Sequence, residues 1–154
     1  MCVPNPYKDT FRRIDFNDPN VFFSVEHIND ALYFPNTTIP PAKSKLIPGL
    51  RSSGNVLSRA VEQKSIDANR NKSQRACKQY DPNYAVAAQQ NLQCDEYPFA
   101  STYQGAASNI FDFSVREIPG PDNDTAGSYL RAFYQTFRIA DGDPFWVELR
   151  KDPQ

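Results

Sequence analysis

Residues 94–137 read CDEYPFASTYQGAASNIFDFSVREIPGPDNDTAGSYLRAFYQTF, and the fold turns on how they are parsed. Asp95 to Phe99 is a short extended run that Pro98 confines to an edge or a strand end. Small, polar residues from Ser101 to Asn109 suit a hairpin or a wider loop. Phe111, Phe113, Val115 and Glu117 then alternate with Asp112, Ser114, Arg116 and Ile118, an imperfect period-two strand. Pro119 to Asp124 break it. Beyond them Tyr129, Leu130, Phe133, Tyr134 and Phe137 fall on one face of a helix that Asp122 or Asp124 can cap. Two strands and a helix, with carboxylates and amides where they meet, is a common way to hold one metal ion against a phosphate. The pattern predicts a small α+β domain.

Outward from this stretch, Asp67 to Gln79 forms a helix with Asp67 as its cap and Arg70, Lys72 and Arg75 pointing outward. Ser53 can cap another, in which Val56, Leu57, Ala60 and Val61 share a face. Residues 1–50 read as a loop-rich β region: Arg12 to Phe16, Val21 to Val25 and Ala31 to Phe34 are strand candidates, and PNTTIPPAKSKLIPG is an ordered coil. After the last helix, a turn at Asp141 to Pro144 leads to a closing strand from Phe145 to Leu149. The division expected is a loop-rich extension over 1–50 packed on a core domain over 51–154.

At 154 residues the chain holds one domain with a real core. A hydrophobic share of 40% excludes a disordered chain, and no apolar run reaches the roughly 18 residues of a membrane span. The start, MCVPNPYKD, lacks the apolar segment of a secretion signal, so such a signal is expected to have been removed or to lie in a longer parent protein. The net charge of −1 hides a segregation. Between Lys43 and Lys78 nine basic residues face only Glu62 and Asp67, and the rest of the chain is correspondingly acidic. That distribution suits a positive face for a polyanion beside a negative site for cations, and equally a solvated helical surface. Three cysteines allow one bridge. Cys77 and Cys94 each adjoin an element and would close a moderate loop, leaving Cys2 as the odd one in an oxidising, extracytoplasmic setting. Two free buried thiols are the alternative.

The residues that can carry chemistry are few. Asp95 and Glu96 are adjacent, so on a strand they face opposite sides: one can act in a site while the other fixes the strand. Asn123 either caps a helix or offers an amide oxygen to Mg²⁺ or Mn²⁺. Arg116 can grip a phosphate with its planar fork or pair with Glu117 or Asp112. His27, the sole histidine, lies far off among apolar residues and reads as a satisfied structural side chain. A hydrolase built on this chain would therefore take a carboxylate as its base, and Ser-His-Asp or Cys-His arrangements are poor fits.

The ordered motifs NRNKSQRAC, CDEYPFAST, SVREIPGPDNDTAGS and FYQTFRIADGDPFWV, covering roughly residues 65–149, resemble the NucA/NucB family of small secreted deoxyribonucleases. The resemblance implies a ββα-metal-like nuclease that cuts DNA internally with one divalent cation and little sequence preference. It implies that Asp95 stands where other ββα-metal nucleases place a histidine base, and that Asn123 helps hold the metal. Glu96, Arg116 and Ser128 fall on motif positions with supporting roles, and Gln135 is the comparable oxygen donor further along the helix. Arg70 and Arg75, within the basic segment, are expected to grip the DNA backbone. A monomer acting on DNA, with RNA as a further substrate to test, is the expectation, with no membrane association. Two rivals stand beside it: a nuclease toxin domain delivered into a target cell and neutralised by an immunity protein, and a disulfide-stapled binding module without activity.

Overall fold

The computed structural model describes residues 9–150. In chain order the main elements are β1 (Thr10–Phe11), α1 (Phe22–Tyr33), β2 (Leu57–Ser58), α2 (Gln63–Tyr80), β3 (Leu92–Tyr97), β4 (Ser114–Pro119), α3 (Gly120–Thr136) and β5 (Pro144–Val147). They make a small single-domain α+β fold with two sheets. In one, β5 lies between β1, which it pairs in parallel, and β2, which it pairs antiparallel. The other is the antiparallel β3–β4 pair, in which Asp95 lies opposite Arg116 and Glu96 opposite Val115. Cys2 lies outside the described residues.

The β3–β4 pair separates two cores. On one side, Val25, Ile28 and Leu32 of α1 meet Leu130, Phe133 and Tyr134 of α3 and Phe145 and Val147 of β5. Phe133 sits at its centre, with ring centroids 5.3 Å from Phe11, 5.5 Å from Phe137 and 5.6 Å from Phe145. Burying one such ring contributes roughly 1.5–3 kcal/mol. The other core is smaller: Ala76 and Cys77 of α2 against Phe113 and Val115, with Ala106 from the intervening loop. That loop is held by the buried Asn69 of α2, whose amide donates to the carbonyls of Ala100 (2.8 Å) and Thr102 (3.1 Å) and accepts from the Ala107 N–H. Tyr97, at the end of β3, donates to the Pro48 carbonyl at 2.8 Å. Gly49 has φ +132°, and a Cβ there would fall 1.8 Å from the Tyr97 hydroxyl, so only glycine fits.

The α3, β3, β4 and β5 elements form where the residue pattern placed them, within a few residues. Pro119 ends β4, and the helix follows at once from Gly120 with Pro121 in its first turn, where a missing N–H costs nothing. The 35–50 segment is coil apart from a short 3₁₀ turn, with a bridge from Ile39 to Val115. Three readings are corrected. Val21 to Val25 and Ala31 to Phe34 are not strands: residues 22–33 form one helix whose buried positions, Ser24, Val25, His27, Ile28, Ala31 and Leu32, recur at helical spacing. No helix follows Ser53, because Leu57 and Ser58 pair with β5 instead. Asp67 is not a cap but lies inside α2, which starts four residues earlier, at Gln63.

Asp122 is the other correction, and it matters for the site. It does not cap its own helix. Buried at the start of α3, its carboxylate accepts from the N–H groups of Phe23 and Ser24 (both 2.9 Å) and from the Ser24 hydroxyl (2.6 Å). It thus satisfies the free N–H groups at the start of α1, whose own residues provide no side-chain cap. The two helices are joined at their N-terminal ends.

Candidate active site

A cleft of about 830 Å³ opens beside β3. Strand β3 supplies Gln93, Asp95 and Glu96. From α2 come Ile66, Arg70, Ser73 and Gln74, and from α3 come Asn123, Asp124, Gly127, Ser128 and Arg131, single residues or adjacent pairs that recur every three or four positions and so lie along one helical face. Three carboxylates and the arginines Arg59, Arg70 and Arg131 therefore border one space.

Asp95 is anchored from behind. Its Oδ2 lies 2.6 Å from Nδ1 of His27, and Nε2 of His27 lies 2.7 Å from the Ser114 hydroxyl. The histidine side chain is fully buried, whereas that of Asp95 is 13% exposed, so the carboxylate is the member of this chain that meets the cleft. His27 is a satisfied structural histidine, as its surroundings in the sequence suggested. What the sequence did not show is that its partner is the candidate base, 68 residues away.

Asn123 sits in the first turn of α3 and donates its Nδ2–H to Oε1 of Gln93 at 2.8 Å. This bond orients the amide, leaving Oδ1 as the free oxygen donor. The exposed carboxylate of Asp124 borders the same space. From the sequence Asp124 reads only as a possible helix cap and Arg131 has no assigned role; the spacing of Arg131, eight residues after Asn123, is the available clue.

Glu96 lies in a different environment from its neighbour. Burial pushes its carboxyl up to about 7; the Asp95 charge adds to this, while Ser73 and Arg70 pull it back. The Ser73 hydroxyl stands close enough to draw the Glu96 carboxyl down, but among the described residues neither it, Oε2 of Glu96 nor Oε2 of Glu117 makes a well-formed hydrogen bond.

The remaining predicted residues divide. Ser128 borders the cleft, its hydroxyl donating to the Asp124 carbonyl and accepting from Arg131. Arg116 is not in the cleft: it pairs with Asp30 of α1 at 2.7 Å, a partner other than the Glu117 or Asp112 considered from sequence. Gln135 is exposed and three helical turns beyond Asn123, about 18 Å at 1.5 Å per residue, so the two cannot bind one ion. Arg75 is exposed on α2 but does not border the cleft. Cys77 and Cys94 form a disulfide linking α2 to β3. Their sulfurs lie near the Glu117 carboxylate, but sulfurs joined to each other are not thiolate ligands, so that group is no metal site. The basic segment is partly committed to structure. Lys45 is buried against Thr38, which lowers its ammonium to about 8, and Lys72 donates to the Asn109 carbonyl.

No curated protein matches the chain. A family model described as Deoxyribonuclease NucA/NucB matches residues 50–148, a span that contains Asp95, Asn123 and every cleft residue contributed by α2, β3 and α3. With well over half of its length matched, the chain belongs to the NucA/NucB family of deoxyribonucleases.

Proposed function

We propose that this protein is a metal-dependent DNA endonuclease that hydrolyses phosphodiester bonds with little sequence preference and uses Asp95 as its general base. The observation that carries the reading is the convergence of Asp95, from a strand, and Asn123, from the first turn of the next helix, on one arginine-bordered cleft. A strand pair followed by a helix, each contributing one of these side chains, supports a ββα-metal-like core.

The donor set fits a hard divalent cation such as Mg²⁺ or Mn²⁺: the Asn123 amide oxygen, oriented by Gln93, together with the Asp124 carboxylate would hold it. When bound, such an ion supplies Lewis-acid stabilisation of the charge that builds on the phosphate and the leaving 3′ oxygen. The protein's own groups do the rest. Asp95 accepts a proton from the attacking water. Arg70 and Arg131, both exposed at the cleft, hold phosphate oxygens, and contacts of that kind carry no base identity. The disulfide supports an extracytoplasmic setting.

Nicking of supercoiled plasmid, with Mg²⁺ or Mn²⁺ and with EDTA, tests the reading. Cleavage that needs the cation and is abolished by EDTA is expected; no cleavage with either ion, or full activity in EDTA, would overturn it. A labelled RNA in the same assay decides whether ribose is tolerated.

A further inference from the structure

We infer that His27 is the positioning residue of the general base: its Nδ1–H, with the ring tautomer fixed by Ser114, holds Oδ2 of Asp95 so that Oδ1 alone faces the attacking water. The inference rests on the reading of Asp95 as the base. It concerns a residue outside the span matched to the family, on a helix contributed by the first fifty residues.

Hydrogen-bond accounting supports the arrangement. An ionised carboxylate only accepts, so the 2.6 Å contact requires a proton on Nδ1 of His27. A neutral ring then has a lone pair on Nε2, and the Ser114 hydroxyl, 2.7 Å away and fully buried, donates to it. One neutral arrangement thus satisfies every polar atom from Ser114 to Oδ2. Among the described hydrogen bonds, His27 is the one protein partner of the Asp95 carboxylate. The ring itself cannot drift: it is fully buried on α1, whose first turn Asp122 clamps. The charged groups around the pair are the Arg116–Asp30 pair on the same face, Asp122 one turn back on the α1 side, Glu96 next along β3 and Arg70 on α2.

The chemistry has the familiar carboxylate–imidazole–hydroxyl composition, but it is turned around. Here the carboxylate meets the substrate and the hydroxyl is sealed in the interior. Water gives its proton to Oδ1 as its oxygen forms the bond to phosphorus and the bond from phosphorus to the 3′ oxygen breaks, that oxygen leaving into the open cleft and taking a proton from solvent. Oδ2 still accepts from Nδ1–H afterwards, so no buried group needs to move.

The test uses the full chain. His27→Leu, checked for folding by thermal melting, is expected to lower kcat for plasmid nicking about 10- to 100-fold, the scale of a misplaced catalytic group, with KM within about twofold. His27→Gln, whose amide can donate as Nδ1–H does, should recover most of that loss, and the acidic limb of the rate–pH profile should move in the Leu variant. A folded His27→Leu protein with wild-type kcat, or equal losses in the Leu and Gln variants, would overturn the inference. Should the Leu variant not fold, the wild-type protein still decides. Its single imidazole gives one set of ¹⁵N signals, expected to show a proton on Nδ1; a ring protonated at Nε2 and not at Nδ1 would overturn the inference. Full activity in Asp95→Ala would instead remove the base assignment itself.

Discussion

Asp95 and Glu96 are covalent neighbours with opposite circumstances. Asp95 points to the α1 face of β3, where His27 and Ser114 complete its hydrogen bonding and Asp122 clamps the helix behind. Glu96 points to the α2 face, where, among the described residues, its Oε2, the nearby Ser73 hydroxyl and Oε2 of Glu117 are buried without a well-formed hydrogen bond. One face is held by a satisfied polar network. The other carries a disulfide that ties its helix to its strand. A buried polar group without a partner costs roughly 1–3 kcal/mol, so the two faces of one hairpin differ in what keeps them together.

The comparison can be broken at four points. The largest effect is expected at Asp95: replacement by Ala should slow plasmid nicking about 10²- to 10⁴-fold, the contribution of a general base, while the same change at Glu96 leaves measurable activity. Asn123→Ala should likewise abolish nicking, and isothermal titration should show weaker Mn²⁺ binding. Equal losses at Asp95 and Glu96 would erase the distinction between the faces. Next comes the disulfide. Removing it in the Cys77→Ser, Cys94→Ser double variant releases a loop with a sequence separation of 17, worth about 3 kcal/mol in the chain-entropy model. A fall in Tm of roughly 6–12 °C is expected by calorimetry. An unchanged Tm would show that the α2 face does not depend on its cross-link.

Glu96 gives a third, smaller effect. Its folded-state carboxyl is raised to about 7 from an ordinary 4.5, so between those values the folded chain binds more protons than the unfolded one. Stability therefore falls as pH rises through this window and levels off above it, by roughly 3 kcal/mol for a shift of this size. Glu96→Gln should be more stable than the parent at pH 8 and equal to it near pH 4.5, as read from chemical denaturation at both values. The smallest effect belongs to the arginines. Arg70→Ala should reduce the slope of log binding against log salt by about one for duplex DNA, uniformly across sequences. A sequence-dependent loss would point to base contacts instead.

What the sequence made legible follows from the range of the interactions involved. The hairpin strands and α3 were readable because their patterns are local: period two in 111–118 and helical spacing from Tyr129 to Phe137. The motif positions Asp95 and Asn123 do meet in one cleft. α1 was misread because Phe22, Phe23 and Val25 favour strands and the helix has no cap of its own; its cap is Asp122, 98 residues on. The stretch after Ser53 failed in the opposite way: Leu57 has helical spacing with its neighbours, but its partner is Phe145 on β5. His27 and Arg116 followed the same rule. The local sequence offers His27 no partner and Arg116 only a phosphate or the neighbouring Glu117 and Asp112, whereas the partners found, Asp95 and Asp30, are more than sixty residues distant.

The Asp122 clamp has a consequence for the order in which this protein becomes active. Its three hydrogen bonds join a helix near the start of the chain to one near the end, and they flank His27 on one side and Asn123 on the other. Closing so long a loop comes late in folding, after the local hairpin and helices have formed. A chain still being synthesised has no α3 with which to seat α1. Its Asp95 then lacks both a fixed imidazole and an oriented amide. On the reading of Asp95 as the base, nicking activity is expected only once α3 has folded against α1, which chains truncated before Gly120 would test.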